Sequence, residues 1–190
     1  FSNKKTINCN ENGYYSIFQS DRFGFNNPDI EWDSDDIEFL LVGDSFTMGS
    51  CVNRPHDIAS KLRQLSNKNV LNLGYVANGP LFQYATLREY LDKKVKNIIW
   101  LYYENDIFNL DRDLKSKILL KYLKDKNFSQ NLKFKQDKID NALTKFLIKV
   151  EDLEAKKQLI DKEEKNSLIY KIEKFITLKN VRELFLDKYF

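Results

Sequence analysis

The sequence predicts an α/β fold built on a parallel sheet and followed by a long helical region. Three observations lead to this prediction. Short apolar runs alternate with segments of helical periodicity between residues 37 and 103. All six glycines and all three prolines lie in the first 80 residues, so turns are concentrated there. From residue 110 onward the apolar residues recur at helical spacing, which predicts helices to the end of the chain.

The elements of the α/β segment follow one another as strand, helix, strand, helix, strand. In chain order they are a strand at 37–42, a helix at 57–65, a strand at 69–73, a helix at 80–92 and a strand at 97–103. Gly43 and Gly74 end the first two strands, and Pro80 suits the first position of a helix. Strands joined through helices run parallel, because the chain must return to the same end of the sheet.

The flanking regions differ from this segment in composition. Residues 1–36 are polar and rich in aromatic side chains, which predicts an irregular arm lying on the domain. Three helices are predicted near 113–124, 135–160 and 162–188, with apolar stripes that indicate packing seams. The predicted organisation is therefore an arm at 1–36, an α/β core at 37–110 and a helical extension at 111–190.

Composition excludes several classes of function. The chain of 190 residues has a net charge of +3, which is too small to indicate a nucleic-acid partner. Its longest apolar run, 98–103, is far shorter than the roughly 20 residues that cross a bilayer. Because the chain starts at Phe1 rather than Met, we expect a piece of a longer protein, with any export signal or anchor upstream.

Two cysteines and one histidine offer too few ligands for a zinc site, so we expect neither a structural metal nor a cofactor. Cys9 and Cys51 would form one disulfide in an exported protein and remain two thiols otherwise. Both alternatives are open at the level of sequence.

Functional groups in a parallel α/β sheet gather beyond the carboxyl ends of its strands. The three strand ends carry Gly-Asp-Ser-Phe-Thr-Met-Gly at 43–49, Asn-Leu-Gly-Tyr-Val-Ala-Asn-Gly-Pro at 72–80 and Tyr-Glu-Asn-Asp at 103–106. The first is not the Gly-x-Ser-x-Gly elbow of α/β-hydrolases, because Thr47 replaces the last glycine. It is not a phosphate-binding loop either, because no lysine follows.

Taken together and in this order, the three segments resemble the blocks of the SGNH, or GDSL-type, esterase and acyltransferase superfamily. The segment at 21–28, Asp-Arg-Phe-Gly-Phe-Asn-Asn-Pro, is similar to a bacterial subgroup of exported or membrane-tethered members. The resemblance implies a flavodoxin-like parallel sheet flanked by helices. Of that sheet, three strands are visible in this sequence.

The resemblance also implies roles for individual residues. Ser45 would be the nucleophile, and the oxyanion would accept hydrogen bonds from the Ser45 amide, an amide at Ala77 or Gly79, and the Asn105 side chain. Ala77 lies near the position of the oxyanion glycine. The sequence departs from the family again where Tyr103 replaces the glycine of the third block. Three polar residues are expected to brace the loops rather than act as acids: Asp44, Asn72 and Asp106.

The general base of the family, the histidine of a late Asp-x-x-His motif, has no counterpart in these 190 residues. The only histidine, His56, follows Ser45 by eleven residues, and the intervening helix start is expected to carry it away from the strand ends. We therefore expect the chain to be truncated before that motif and to be inactive alone. The helical region would then be an insertion, or a lid over the acyl pocket.

The function implied by the resemblance is that of a serine esterase or O-acyltransferase, a hydrolase-type enzyme of the periplasm or cell envelope. Its substrate would be an acyl ester or an acylated glycan, attacked through an acyl-Ser45 intermediate. The alternative is a non-catalytic SGNH-like module that binds a glycan or a protein. Oligomeric state, acyl group and the choice between hydrolysis and transfer cannot be read from the sequence.

Overall fold

The computed structural model describes residues 1–11, 13–92 and 94–166. The chain divides into two compact units, 1–140 and 141–190, and the candidate site lies in the first. The strands are β1 (Lys5–Ile7), β2 (Ile17–Gln19), β3 (Asp36–Val42), β4 (Val70–Asn72) and β5 (Lys94–Trp100). The α-helices are α1 (Ser45–Met48), α2 (Ile58–Ser66), α3 (Pro80–Tyr90), α4 (Asp106–Asp113), α5 (Lys117–Lys124) and α6 (Gln136–Asn166).

The predicted parallel sheet is confirmed. Its order is β4-β3-β5, with Phe39 opposite Val70 in one ladder and Val42 opposite Trp100 in the other. The first strand of the α/β segment is thus central, between the second and the third. This agrees with the start of the 2-1-3-4-5 order of flavodoxin-like sheets. All three carboxyl ends lie on one edge, where they position the candidate site.

Both faces of the central strand are covered, which explains why β3 reads as a nearly continuous apolar run. On one face Leu41 packs with Ala59 of α2. On the other, Leu40 belongs to a cluster that includes Tyr90 of α3 and Trp32 of the arm. Helix α3 in turn packs against α5 through a third cluster.

Two predicted boundaries are wrong, for physical reasons. The third strand is Lys94–Trp100 rather than 97–103, since its pairing starts where Lys94 meets Asp36 and stops where β3 ends. Lysines at 94 and 96 hid this start, because both are exposed in a strand that partly buries only Val95 and Ile99. The helix predicted at 113–124 is α5 alone, capped by the Ser116 side chain, and the preceding α4 was not predicted.

The helix predicted at 135–160 is present as α6, which is longer and spans Gln136–Asn166. The predicted helix at 162–188 falls mostly outside the described residues. Within the part of the chain that the structure describes, no helix has an apolar stretch long enough to cross a bilayer.

The arm is more regular than the sequence predicted, and a buried carboxylate holds its own turn together. Its strands β1 and β2 form an antiparallel pair, and a 3-10 helix follows at Asp29–Asp33. Asp21 is fully buried and accepts hydrogen bonds from Trp32 Nε1, from Asn27 Nδ2 and from two backbone amides of the same turn. Burial raises the pKa of the Asp21 carboxyl, while these four donors oppose the rise.

A disulfide between Cys9 and Cys51 joins the arm to the α1–α2 connection, across 42 residues of sequence. Of the two alternatives that the sequence left open, the structure has the bonded one. Its sulfur atoms lie near the Glu11 carboxylate. Because they are bonded to each other, they offer no thiolate to a metal ion.

Replacing both cysteines with serine is expected to lower the free energy of unfolding by about 4 kcal/mol, because the open chain regains the entropy that a ring of this size removes. Urea denaturation followed by circular dichroism measures the change. Wild-type protein in reducing buffer is the matched control and should unfold at the same midpoint as the double variant. If the free energy of unfolding fell by less than about 1 kcal/mol, the disulfide would not stabilise the protein by restraining the unfolded chain.

Candidate functional site

The first strand end turns directly into a single helical turn that begins with Ser45. The Asp44 side chain caps α1 by accepting a hydrogen bond from the Phe46 amide at 2.9 Å, and Gly49, with φ of 75°, ends the helix. The expected bracing role of Asp44 agrees with this contact. Ser45 is half-buried, and its hydroxyl makes no hydrogen bond with any described residue. The turn therefore presents a hydroxyl group that the described part of the chain does not use as a structural contact.

The second strand end lies against this turn. Asn72 is fully buried, accepts a hydrogen bond from the Gly74 amide at 2.8 Å and donates one to the Thr47 carbonyl at 2.6 Å. A Cβ on Gly74 would lie 2.5 Å from the Met48 nitrogen, so only glycine allows this approach. Asn72 thus braces both loops at once, as the sequence predicted for the second.

The two candidate amides of the second loop have different surroundings. Ala77 is exposed, with φ of 58°, and its N–H makes no hydrogen bond with the described residues. Its carbonyl accepts a hydrogen bond from Arg112 Nη2 at 2.5 Å. Gly79 is buried under α4, where an added Cβ would lie 2.3 Å from Asp113 Oδ2. The close packing of α3 on α4 explains this glycine, whereas Ala77 is an exposed residue without such packing.

The third strand end approaches the first through an aromatic contact. The rings of Tyr103 and Phe46 lie 4.6 Å apart, and both are about half exposed. Asp106 is fully buried and accepts a hydrogen bond from the Tyr103 amide at 2.9 Å, in agreement with the predicted bracing role. Asn105 precedes α4, and its exposed carboxamide has no hydrogen-bond partner among the described residues. The structure thus brings the three predicted loops together at one edge of the sheet.

Three hydrogen bonds of one buried side chain, which hold these loops, were not predicted. Gln83 of α3 donates to the Asn78 carbonyl and to Asp106 Oδ1, and accepts from Trp100 Nε1. The signal in the sequence was a polar side chain among the apolar positions of α3. Without the fold, that residue is indistinguishable from a solvated one.

The arm supplies two further braces. Asn26 donates to the Met48 carbonyl at 2.9 Å, and Asn27 exchanges two hydrogen bonds of 2.9 Å with the backbone of Asn72. The segment at 21–28 therefore supports the first two loops directly.

A cleft of about 570 Å³ opens beside Ser45, between the arm and the α1–α2 connection. Its walls include Ser45, Phe46, the Cys9–Cys51 disulfide, Val52, His56 and Ile58. His56, expected to be carried away from the strand ends, lines the same cleft as Ser45. His56 is nevertheless exposed, and no described residue is hydrogen-bonded to its ring or to the Ser45 hydroxyl. Asp57, not His56, caps α2.

Comparisons of this chain with protein-family models, with curated proteins and with solved structures gave no match. The case for a function therefore depends on the residues and contacts at the three strand ends.

Proposed function

We propose that this chain carries the nucleophile and the oxyanion-binding groups of an SGNH-type serine esterase or O-acyltransferase. The observation that supports this most strongly is Ser45 at the end of the central strand, which lines a cleft and whose hydroxyl has no hydrogen-bond partner among the described residues. A buried hydrogen bond from Asn72 holds the second loop against the first, and the contacts of Asp106 hold the third loop in place. Such bracing suits a site whose donors must be in place before charge develops.

In the proposed reaction, Ser45 Oγ attacks the carbonyl carbon of an ester while a general base takes the hydroxyl proton. The carbonyl oxygen becomes an oxyanion, which would accept hydrogen bonds from the amides of Ser45 and Ala77 and from Asn105 Nδ2. The C–O bond then breaks, the alcohol leaves with the proton, and an acyl-Ser45 ester remains. Water or a second alcohol, such as a sugar hydroxyl, takes the acyl group in the reverse sequence of steps.

Ala77 is the better candidate of the two amides in the second loop. Its N–H has no partner in the described part of the chain, and its φ of 58° lies in the region that favours glycine. That angle suits a position where the family has glycine and needs only a backbone donor. Gly79 is enclosed by α4 and is explained by helix packing.

The base is the part of the reaction that the described residues leave unassigned. The resemblance assigns it to the histidine of an Asp-x-x-His motif, which these 190 residues do not contain. His56 shares the cleft but has no carboxylate hydrogen-bonded to its ring among the described residues, so nothing there orients it as a base.

The proposed location is the periplasm or the cell envelope. A disulfide that closes a long ring is typical of proteins that fold in an oxidising compartment. The envelope also holds acylated glycans, one of the two substrate classes that the resemblance implies.

Labelling with a fluorophosphonate tests the proposal. The complete gene product should form a covalent adduct, and peptide mapping by mass spectrometry should find it on Ser45. Denatured protein is the control, because an unfolded serine is not activated. An adduct on another residue would assign the nucleophile elsewhere. No adduct at all would favour the alternative, a non-catalytic module that binds a glycan or a protein.

A further inference from the structure

The cleft beside Ser45 has walls that are largely apolar close to the nucleophile. Phe46, Val52 and Ile58 contribute hydrocarbon, and the Cys9–Cys51 disulfide contributes sulfur and methylene groups. Among these, Phe46 and Ile58 are about half exposed, at 57% and 44%. Exposed apolar side chains that share one concave surface are typical of a site that binds an apolar group.

The polar groups of the cleft are poorly placed to select a sugar. The Asp57 side chain is buried and uses Oδ1 to accept a hydrogen bond from the Ser60 amide at 2.9 Å. The Ser50 carbonyl already accepts a hydrogen bond from the Ser16 hydroxyl. Glu11 and His56 are exposed, so water competes for them. A sugar ring needs several fixed donors and acceptors, and to the groups above the described lining adds only the hydroxyls of Ser45 and Ser50.

We infer that the cleft binds the acyl chain of the substrate, and that this chain is of medium length, such as hexanoyl or octanoyl, rather than acetyl. The inference rests on the proposed function, because it takes Ser45 as the attacked end of the site. A volume of about 570 Å³ is within the range of clefts that enclose whole small ligands. An acetyl group would leave most of that space to water, whereas a longer chain would cover the apolar walls.

Burial of each added methylene favours the longer ester by roughly fourfold in kcat/KM, the equivalent of about 0.8 kcal/mol. From acetyl to hexanoyl, partial burial is expected to raise kcat/KM at least tenfold. The rise should stop once the chain reaches the mouth of the cleft.

The test measures kcat/KM of the complete gene product on aryl esters with acetyl, butanoyl, hexanoyl and octanoyl groups. Val52→Trp fills the cleft and should lower kcat/KM for the hexanoyl ester at least tenfold while changing that for acetyl less than twofold. Ile58→Trp is a second filling variant on the surface of α2, which keeps the test valid if Val52→Trp fails to fold. Leu65→Trp is the matched control, because Leu65 lies on the same helix, is 85% exposed and does not line the cleft.

The outcomes separate this inference from the proposed function. Turnover that needs Ser45 but is fastest with acetyl, and is unchanged by both filling variants, would overturn the inference alone. No turnover that depends on Ser45, with any ester, would overturn the proposed function and the inference with it. A preference for hexanoyl or octanoyl that both variants abolish would establish the acyl site.

Discussion

Ser45→Ala is expected to lower ester turnover by the complete gene product by roughly 10⁶-fold, the effect usual for loss of a nucleophile that acts with its base as one unit. Alanine removes only the oxygen that would form the acyl-enzyme. The cap of α1 uses the Asp44 side chain and the Phe46 amide, so the helix should persist. Initial rates on a short-chain aryl ester measure the loss, and circular dichroism checks the fold.

Ser66→Ala is the matched control, because Ser66 is also half-buried but lies at the end of α2, outside the cleft. Its turnover should stay within about threefold of wild type, since the proposed mechanism gives its hydroxyl no role. Equal losses in the two variants would contradict a specific role for Ser45, and an active Ser45→Ala enzyme would exclude it as nucleophile.

Asn105→Ala is expected to lower kcat by roughly 100- to 1,000-fold, about 2.7–4 kcal/mol of transition-state stabilisation. KM should change little, because an oxyanion donor acts where charge develops and not on the ground-state ester. The Asn105 carboxamide has no hydrogen-bond partner among the described residues, so its removal should cost little stability. Steady-state kinetics and thermal unfolding measure the two effects separately.

Asn127→Ala serves as the control, since this asparagine is also exposed and lies in the loop after α5, away from the strand ends. It should leave kcat unchanged. If Asn105→Ala lowered kcat less than threefold, the residue would only shape the start of α4. If it lowered stability as much as activity, the loss would be structural.

The α/β fold could be predicted from the sequence because its signals are local. Gly43 ends an apolar run that is buried on both faces, and Pro80 begins a helix that the structure places at that residue. The predicted position of strand β5 is wrong by three residues, because the residues at the start of the strand are polar. Lys94 lies in an exposed strand, and only its pairing with Asp36 assigns it to the sheet.

The position of the candidate site could be predicted from the sequence. The hydrogen bonds that hold its loops in place could not. The three loops follow from the rule that strand ends meet at one edge. The hydrogen bonds of Gln83 to Asp106 and of Asn27 to Asn72 join residues that are 23 and 45 positions apart. No periodicity links such pairs, because their proximity is a product of the completed fold. The cleft that contains both Ser45 and His56 escaped prediction for the same reason.

The disulfide between Cys9 and Cys51 encloses the central strand in a covalent ring, since β3 lies between the two cysteines. The disulfide shortens the covalent path between residues that are distant in sequence. The Ser16 hydroxyl and the Ser50 carbonyl, 34 positions apart in sequence, are seven residues and one residue away from the two bonded cysteines. A contact between the arm and the segment after α1, distant in sequence, thereby becomes a short-range one, with a correspondingly small entropy of loop closure. In the oxidised chain the effective contact order of this region is lowered, so the arm and the first loop are expected to dock early in folding.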